Sequence, residues 1–300
     1  MRINLIGLGK MGLNIALNMK EKGHEVRGYA PSLTTREKAK DAGIDVYDSY
    51  HALLQRESKK PIIVWLLVPN SIVTSLLKEI IPLLKRGDIV IDGGNSNFNR
   101  SIEHYEMLKG YGIDFIDLGT SGGQHGARYG ANLMAGGEKR VISVMEPVFK
   151  DIAAKDGYLH VGRPGSSHFV KMVHNGIEYG MMQAIGEGFG FLKASDFDLD
   201  YAKIAALWNH GSIIESLLVK NIGDALAKSP ELAELEGRVD DSGEGMWMVE
   251  EALKNKVAIP VITQALFARY KSKDDEKFSE KVVAAIRNEF GGHAVYKKDE

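Results

Sequence analysis

The segment that most constrains the fold lies near the start of the chain. A short apolar run, Ile3–Ile6, leads directly into Gly7-Leu8-Gly9-Lys10-Met11-Gly12, and the helical periodicity of Met11–Lys22 follows. In this GxGxxG pattern the first glycine permits a tight turn, the second lets backbone approach a ligand, and the third lets the helix pack closely on the strand. A helix that begins there offers unpaired N–H groups to a pyrophosphate. The segment therefore predicts a strand–turn–helix unit that binds a dinucleotide.

The first half of the chain alternates short β-branched runs with helical stretches. This βαβα order predicts a parallel sheet with right-handed crossovers. The predicted strands are Ile3–Ile6, Glu25–Tyr29, Pro61–Val68, Asp88–Ile91, Asp114–Leu118 and Val141–Val144, and the predicted helices are Met11–Lys22, 34–42, 71–84 and 99–110.

The pattern changes near Gly162–Ser167, and no strand is predicted beyond it. We therefore predict an α/β chain with a Rossmann-type parallel-sheet domain at 1–164 and an all-helical domain at 165–300. The predicted helices of the second domain are 168–194, 199–228, 244–255, 260–271 and 275–290.

The first of those helices is rich in glycine, which costs up to about 1 kcal/mol per residue in a helix. Either close packing against neighbouring elements compensates for this cost, or the helix is broken. The glycines concerned are Gly176, Gly180, Gly186, Gly188 and Gly190.

Composition excludes several classes of protein. The 300 residues carry 38 basic and 40 acidic side chains, a formal charge of −2, which argues against a nucleic-acid-binding protein. The absence of cysteine excludes disulfide scaffolds, thiolate metal sites and cysteine nucleophiles. No apolar run approaches the roughly 20 residues that a membrane span needs, and the first residues read as a buried strand rather than a secretion signal. We expect a cytoplasmic protein.

The end of the second predicted strand bears on nucleotide choice. An NAD-binding chain usually carries an acidic residue there, which accepts a hydrogen bond from the ribose 2′-hydroxyl, but Tyr29–Arg36 contains none. Ser32, Thr34, Thr35 and Arg36 could hold a 2′-phosphate. The same residues could equally start a helix with a threonine as N-cap, so the choice between NADP and NAD stays open.

Four polar residues share one face of the helix predicted at 168–194. Lys171, His174, Asn175 and Glu178 stand at i, i+3, i+4 and i+7. A lysine in a cleft can serve as a general base, and a carboxyl beside it can serve as an acid. The alternative is a solvated face with an ordinary Lys–Glu pair. No spacing of His, Asp and Glu predicts a metal site.

Two glycine-rich loops follow predicted strands, at Asp92–Ser96 and Thr120–Arg128. In open α/β sheets, ligands bind beyond the carboxyl ends of the strands. Both loops are therefore expected at one crevice, where backbone N–H groups can bind a carboxylate. Ordinary turns are the alternative for each loop.

Together these motifs carry a resemblance. The segments GLGKMG, IDGGNS, TSGGQHGARYG and KMVHNGIEYGMMQ, in that order, resemble the decarboxylating 6-phosphogluconate dehydrogenases, and the similarity extends over essentially the whole chain. The length resembles the short form of that family.

The resemblance implies an oxidative decarboxylation that belongs to the pentose phosphate pathway. NAD(P)+ accepts hydride from C3 of 6-phosphogluconate, the 3-keto acid loses CO2, and the enediol becomes ribulose 5-phosphate. By resemblance, Lys171 is the base at the C3 hydroxyl and Glu178 is the acid that protonates C1 of the enediol. Asn175 and His174 hold the C3 hydroxyl and the carboxylate region.

The resemblance also implies binding residues. Asn95 would contact both nicotinamide and substrate. The implied pyrophosphate and adenosine contacts are Gly7, Gly9, Met11, Gly12 and Val68, and the implied contacts of the sugar carboxylate are Ser121, Gly122 and Gly123.

The substrate phosphate requires cations. By resemblance its ligands include Tyr179 and Arg269, and the tail R-x-x-F-G-x-H would bring Arg287 and His293 into a neighbouring subunit's site. The resemblance thus implies a homodimer or a higher homo-oligomer. Guanidinium groups suit a phosphate dianion because they bind it bidentately.

The chain departs from the family pattern in places. Ser242 and Met246 stand where the family usually has lysines, which leaves a dehydrogenase of unphosphorylated hydroxy acids as an alternative. A non-enzymatic cofactor-binding protein is a further alternative, because fold alone never establishes activity.

Overall fold

The computed structural model describes residues 1–57 and 59–296. Within these residues the chain forms one sheet of eight strands, in the order β3-β2-β1-β4-β5-β6-β7-β8. The strands are β1 (Arg2–Ile6), β2 (Glu25–Tyr29), β3 (Asp45–Tyr47), β4 (Ile63–Leu66), β5 (Ile89–Asp92), β6 (Asp114–Ser121), β7 (Ala131–Gly137) and β8 (Ala153–Gly162).

The sheet is parallel from β3 to β6. The strand β7 then runs antiparallel to β6, and β8 runs parallel to β7. The predicted α/β class is confirmed, and the sheet is mixed at one end rather than wholly parallel.

The sheet helices connect these strands. They are α1 (Lys10–Glu21), α2 (Leu33–Asp41), α3 (Tyr50–Leu53), α4 (Asn70–Ile80), α5 (Phe98–Gly110), α6 (Gly123–Tyr129) and α7 (Lys139–Ile152), with a 3-10 turn at Ile81–Leu83. The long helix α8 (Ser166–Lys193) follows, and then come α9 (Tyr201–Trp208), α10 (Leu217–Lys228), α11 (Glu244–Asn255), α12 (Pro260–Lys271) and α13 (Phe278–Gly291).

Two apolar cores lie on the two faces of the sheet. Alternate residues of β4 divide between them, with Trp65 in the core that includes α1 and α7, and Leu66 in the core that includes α4 and α5. All four β4 residues are buried, as expected for a strand covered on both faces.

Two sequence predictions are wrong, and three strands were missed. Val141–Val144 lies in α7 rather than in a strand, because Val141, Met145, Val148 and Ile152 recur at helical spacing on its buried side. The helix predicted at 199–228 is two helices, since residues 209–216 form turns between α9 and α10. The strands β3, β7 and β8 were not predicted.

The chain divides into two compact units, Met1–Asn175 and the remainder from Gly176. The predicted boundary at 164/165 remains a prediction.

The helix α8 runs unbroken for 28 residues, so the alternative of a broken helix is wrong. A Cβ at Gly176 would stand 2.2 Å from the sulfur of Met248, which confirms close packing there. Gly186, Gly188 and Gly190 have no such neighbour within 4 Å among the described residues.

None of the helices in the described part of the chain combines the length and the apolar character that a membrane crossing demands. The same residues contain no group of three or more His, Asp or Glu side chains that could hold a metal ion.

Candidate active site

The turn after β1 has the shape of a pyrophosphate cradle. Gly7 has φ +108°, and a Cβ there would stand 2.2 Å from the carbonyl oxygen of Leu67. A Cβ at Gly12 would stand 1.8 Å from the carbonyl oxygen of Gly7, so the third glycine permits the close packing expected of it. Met11, between them, is half-buried against the core.

The second glycine of the motif leaves its surroundings open. Apart from its two chain neighbours, no atom of the described residues lies within 4 Å of a Cβ built on Gly9. Gly9 is also the N-cap of α1, and no side chain caps that end of the helix. Open space beside unpaired helix N–H groups suits the phosphates of a dinucleotide, so these residues fit the predicted cofactor.

The end of β2 leads into α2 through a side-chain cap. The Oγ of Ser32 accepts a hydrogen bond from the backbone N of Thr35 at 3.4 Å, so Ser32, not a threonine, is the N-cap. Arg36 donates from Nη1 to the carbonyl oxygens of Ala30 at 2.7 Å and Pro31 at 3.0 Å. The segment therefore does start a helix, with Ser32 as its N-cap. Contacts of Ser32 and Arg36 with a 2′-phosphate remain a prediction.

Val68 lies between the two glycine loops. Its Cγ1 is 3.2 Å from the position of a Cβ on Gly7, and its carbonyl oxygen is 2.8 Å from that of a Cβ on Gly94. Asn95, which follows Gly94 in the chain, is exposed. The buried Asp92 shapes this loop, because its Oδ1 accepts from the backbone N of Gly94 at 3.1 Å. The loop that carries Asn95 thus lies beside the cofactor turn.

The face of β6 that carries Asp117, Gly119 and Ser121 lies along α8. Asp117 accepts hydrogen bonds at the start of α8, and a Cβ on Gly119 would stand 2.8 Å from the Cβ of Lys171. Ser121 Oγ is 3.1 Å from Nε2 of His174. Strand residues two apart therefore meet successive turns of the helix, which places Lys171 and His174 at the carboxyl end of β6.

Three predicted catalytic side chains form a hydrogen-bonded group. Nδ1 of His174 lies 3.0 Å from Oδ1 of Asn175 and 3.4 Å from Nζ of Lys171. The amide oxygen is an acceptor, so the Nδ1–H tautomer of His174 fits, and its Nε2 then accepts from the hydroxyl of Ser121. Gly122 and Gly123, which follow Ser121, have φ +107° and +60°.

Burial argues against a fully solvated helical face, and the catalytic roles remain a prediction. Lys171 is 9% exposed, whereas Val170 and Ile177 on the apolar side are 38% and 51% exposed. A solvated surface face would show the opposite distribution. The half-buried Glu178 stands on the same helix, two turns after Lys171.

In the unit from Gly176 onward, two predicted phosphate ligands contact each other. The guanidinium of Arg269 lies 3.4 Å from the ring centroid of Tyr179, and its Nη1 donates to the carbonyl oxygen of Asp240 at 2.7 Å. The hydroxyl of Tyr179 accepts from the backbone N of Ser242 at 3.2 Å. Met246, which stands where the family usually has a lysine, is 40% exposed.

The other two predicted ligands lie on or after α13. Arg287 and His293 are exposed, and α13 has no buried residue. The ring of His293, which follows α13, contacts Phe290 of that helix, with centroids 5.9 Å apart.

Sequence reasoning missed Asp117, Gly119 and Ser167, which tie α8 to the sheet. Ser167 is fully buried, and its Oγ donates to the carbonyl oxygen of Met134 at 2.6 Å. A signal was present in the sequence, because Asp117 is an acid inside an apolar strand and shares the alternation of Gly119 and Ser121.

Comparison with known families matches both parts of the chain. The NAD binding domain of 6-phosphogluconate dehydrogenase matches residues 2–162, and the C-terminal domain of 6-phosphogluconate dehydrogenase matches residues 167–300. The chain belongs to the 6-phosphogluconate dehydrogenase family. The family predicted from the motifs is confirmed.

Two relatives match this chain over their full length. YqeC of Bacillus subtilis is 47% identical over 298 residues, which are 99% of this chain and 100% of the relative. The NAD(+)-dependent, decarboxylating 6-phosphogluconate dehydrogenase of Haloferax volcanii is 38% identical, with all of both chains covered. Among solved structures, Plasmodium falciparum 6-phosphogluconate dehydrogenase is 29% identical with a TM-score of 0.84, over 100% of this chain and 67% of that one. The short length is therefore shared within the family.

Proposed function

We propose that this 6-phosphogluconate dehydrogenase converts 6-phosphogluconate and NAD(P)+ into ribulose 5-phosphate, CO2 and NAD(P)H. The observation that carries the proposal is the buried Lys171, held against Gly119 of β6 and grouped with His174 and Asn175. These are the groups that oxidation of an alcohol near a carboxylate requires.

Each residue has a defined part in the proposed reaction. Lys171, in its neutral form, takes the proton of the C3 hydroxyl. When bound, the nicotinamide supplies the hydride acceptor for the C3 hydrogen. His174 and Asn175 hydrogen-bond the C3 hydroxyl and the carboxylate region. After C1 of the substrate has left as CO2, Glu178 gives a proton to C1 of the enediol, which is the former C2 of 6-phosphogluconate.

The loops around these residues orient the substrate. We assign the carboxylate to Ser121, Gly122 and Gly123, where the hydroxyl of Ser121 also holds His174. Asn95, exposed on its loop, would contact substrate and nicotinamide. The phosphate would meet Arg269 and Tyr179, since the guanidinium is already fixed against the ring.

The first test is turnover. Purified protein should reduce NAD+ or NADP+ with 6-phosphogluconate and release an equal amount of CO2, and unphosphorylated gluconate should be far poorer in kcat/KM. Lys171→Ala should abolish nicotinamide reduction. Lys155→Ala, which changes an exposed lysine of β8, is the matched control. No reduction of either nucleotide at millimolar substrate, or full activity of Lys171→Ala, would overturn the proposal.

We propose NADP+ as the preferred nucleotide. No acidic residue lies between Tyr29 and Arg36 to bond a ribose 2′-hydroxyl, and Arg36 is anchored beside that loop by Ala30 and Pro31. A guanidinium there suits a 2′-phosphate. Initial rates with the two nucleotides side by side decide the preference.

We also propose that the chain acts as a cytoplasmic homodimer in which the tail of one copy completes the site of the other. The apolar residues Phe278, Ile286 and Phe290 of α13 are 63%, 54% and 73% exposed. A helix with this much apolar surface is stable when a partner covers it.

Mixed dimers test this arrangement directly. Lys171→Ala and Arg287→Ala should each be nearly inactive alone. Co-refolded, the two variants should regain activity, because one site of each mixed dimer then holds both native side chains. A monomer in sedimentation, or no recovery on mixing, would contradict the shared site.

A further inference from the structure

The first turn of α8 is tied to the sheet by two fully buried side chains. Asp117 of β6 accepts from the backbone N of Gly165 at 2.7 Å and from that of His168 at 2.9 Å. Ser167 accepts at its Oγ from the backbone N of Gly119 at 2.7 Å and donates to the carbonyl oxygen of Met134 at 2.6 Å. We name Asp117 and Ser167 the α8 clasp.

The clasp supplies hydrogen-bond acceptors for backbone N–H groups at the start of α8. The first N–H groups of a helix have no partner within it, and here a carboxylate from a different element accepts from them. Gly136 leaves room for that carboxylate, because a Cβ on Gly136 would stand 2.4 Å from Oδ1 of Asp117. The fold thus reserves space beside the sheet for one buried acid.

Retaining this acid has an energetic cost. Burial raises the pKa of Asp117, while the nearby His168 and the backbone N–H groups act in the opposite direction. A buried carboxylate is tolerated when charge-assisted hydrogen bonds compensate for lost hydration. The same two bonds fix the height and rotation of α8 against β6.

Position along α8 matters because Lys171 follows Ser167 by one helical turn. A Cβ built on Gly119 would lie 3.3 Å from Oγ of Ser167 and 2.8 Å from the Cβ of Lys171. Ser167 and Lys171 therefore both pack against the same strand residue, Gly119. His168 is held as well, since its Nδ1 lies 2.7 Å from Oγ of Ser101 on α5. A shift of about 1 Å in a catalytic group can cost about 100-fold in rate.

We propose that Asp117 and Ser167 are positioning residues that hold Lys171 and His174 in register for proton transfer. This inference rests on the proposed function for the role of Lys171. It assigns a kinetic task to two side chains that are fully buried.

The test compares Asp117→Asn and Ser167→Ala with matched controls in the full chain. Asp114→Asn, on the same strand, removes the carboxylate charge that pairs with Arg140. Ser143→Ala removes a hydroxyl that donates within α7. Both clasp variants should lower kcat per nucleotide-binding site by about 100-fold, with the KM for nucleotide within about twofold of wild type. C3-deuterated substrate should show a larger isotope effect on kcat, since hydride transfer becomes slower.

A second readout does not depend on turnover. Amide exchange at Gly165 and His168 should accelerate in Asp117→Asn, and exchange at Gly119 should accelerate in Ser167→Ala. Normal kcat in the folded variants, or a loss of kcat that matches the loss of nucleotide-binding sites, would overturn the inference. If Asp117→Asn does not fold, Ser167→Ala decides alone. If wild-type protein does not oxidise 6-phosphogluconate, the proposed function fails while amide exchange still reports the clasp.

Discussion

Gly119 lies directly against Lys171, and a Cβ added to the glycine would stand 2.8 Å from the Cβ of the lysine. The buried amine therefore reaches its place because one strand residue has no side chain. This contact belongs to a repeated relation between β6 and α8 that extends from Asp117 to Ser121.

Gly119→Ala should push Lys171 away from its position. We expect kcat to fall by about 100-fold, with little change in the KM for nucleotide. Steady-state kinetics and the melting temperature measure the two effects separately. Gly110→Ala at the end of α5 is the control, because a Cβ there has no described side chain or distant backbone within 4 Å, its chain neighbours aside. Unchanged kcat in Gly119→Ala would show that the lysine tolerates displacement.

Two glycines of the cofactor turn should respond differently to alanine. The added methyl of Gly9→Ala meets no atom of the described residues within 4 Å beyond its chain neighbours, so stability should change by less than about 0.5 kcal/mol. Its methyl group would occupy the approach of the pyrophosphate, and the KM for nucleotide should rise at least about tenfold. Gly12→Ala would meet the carbonyl oxygen of Gly7 at 1.8 Å and should lower both stability and nucleotide binding. Thermal melts with and without nucleotide distinguish the cases, and unaltered nucleotide affinity in Gly9→Ala would place the pyrophosphate elsewhere.

Arg36→Ala tests nucleotide preference. Loss of a charge-assisted contact to the 2′-phosphate should raise the KM for NADP+ about tenfold or more, while the KM for NAD+ changes by less than about twofold. Arg36 also donates hydrogen bonds to the carbonyl oxygens of Ala30 and Pro31. The KM for NAD+ therefore reports whether the loop keeps its conformation in the variant. Lys38→Ala, an exposed position of α2, is the matched control. Equal losses with both nucleotides would show that Arg36 only supports the loop.

Stability should fall in mild acid partly because of His104. The side chain is 1% exposed, and burial lowers the pKa of His104 although Asp92 and Glu103 oppose this. The unfolded chain takes up a proton near the ordinary pKa of about 6.5 and the folded chain does so only at lower pH, so protons favour unfolding. The free energy of unfolding should therefore decrease as pH falls below about 6.5.

A pH series of thermal melts isolates this contribution. His104→Gln can keep the hydrogen bond to Thr74 and should reduce the loss of stability at acid pH, which we call the acid limb. His51→Gln, at an exposed site, should leave the acid limb unchanged. The reduction should be incomplete, because burial also lowers the pKa of His24. An acid limb that His104→Gln leaves unchanged would exclude the assignment.

The sequence predicted the elements whose pattern is strong. The glycine turn after β1 and the continuous apolar runs of β4 and β5 gave the parallel part of the sheet, since such runs are typical of strands covered on both faces. The polar face of α8 predicted the group of Lys171, His174 and Asn175 from spacing alone.

Other elements carried weak or misleading signals. The β7 segment ANLMAGG is rich in residues of low strand propensity, and its pairing with β6 creates the strand. The β-branched run Val141–Val144 favoured a strand over a short window, but the longer window of α7 has helical periodicity. Ser167 could not be predicted, because the tertiary fold alone brings it to its partners Gly119 and Met134.

The fit between β6 and α8 constrains how this segment can vary in evolution. Asp117, Gly119 and Ser121 share a face because residues alternate along a strand. Inserting or deleting a single residue among them would turn part of the set to the opposite side. Substitutions at the intervening positions, Leu118 and Thr120, leave that alternation intact, so this stretch can change its composition far more readily than its length.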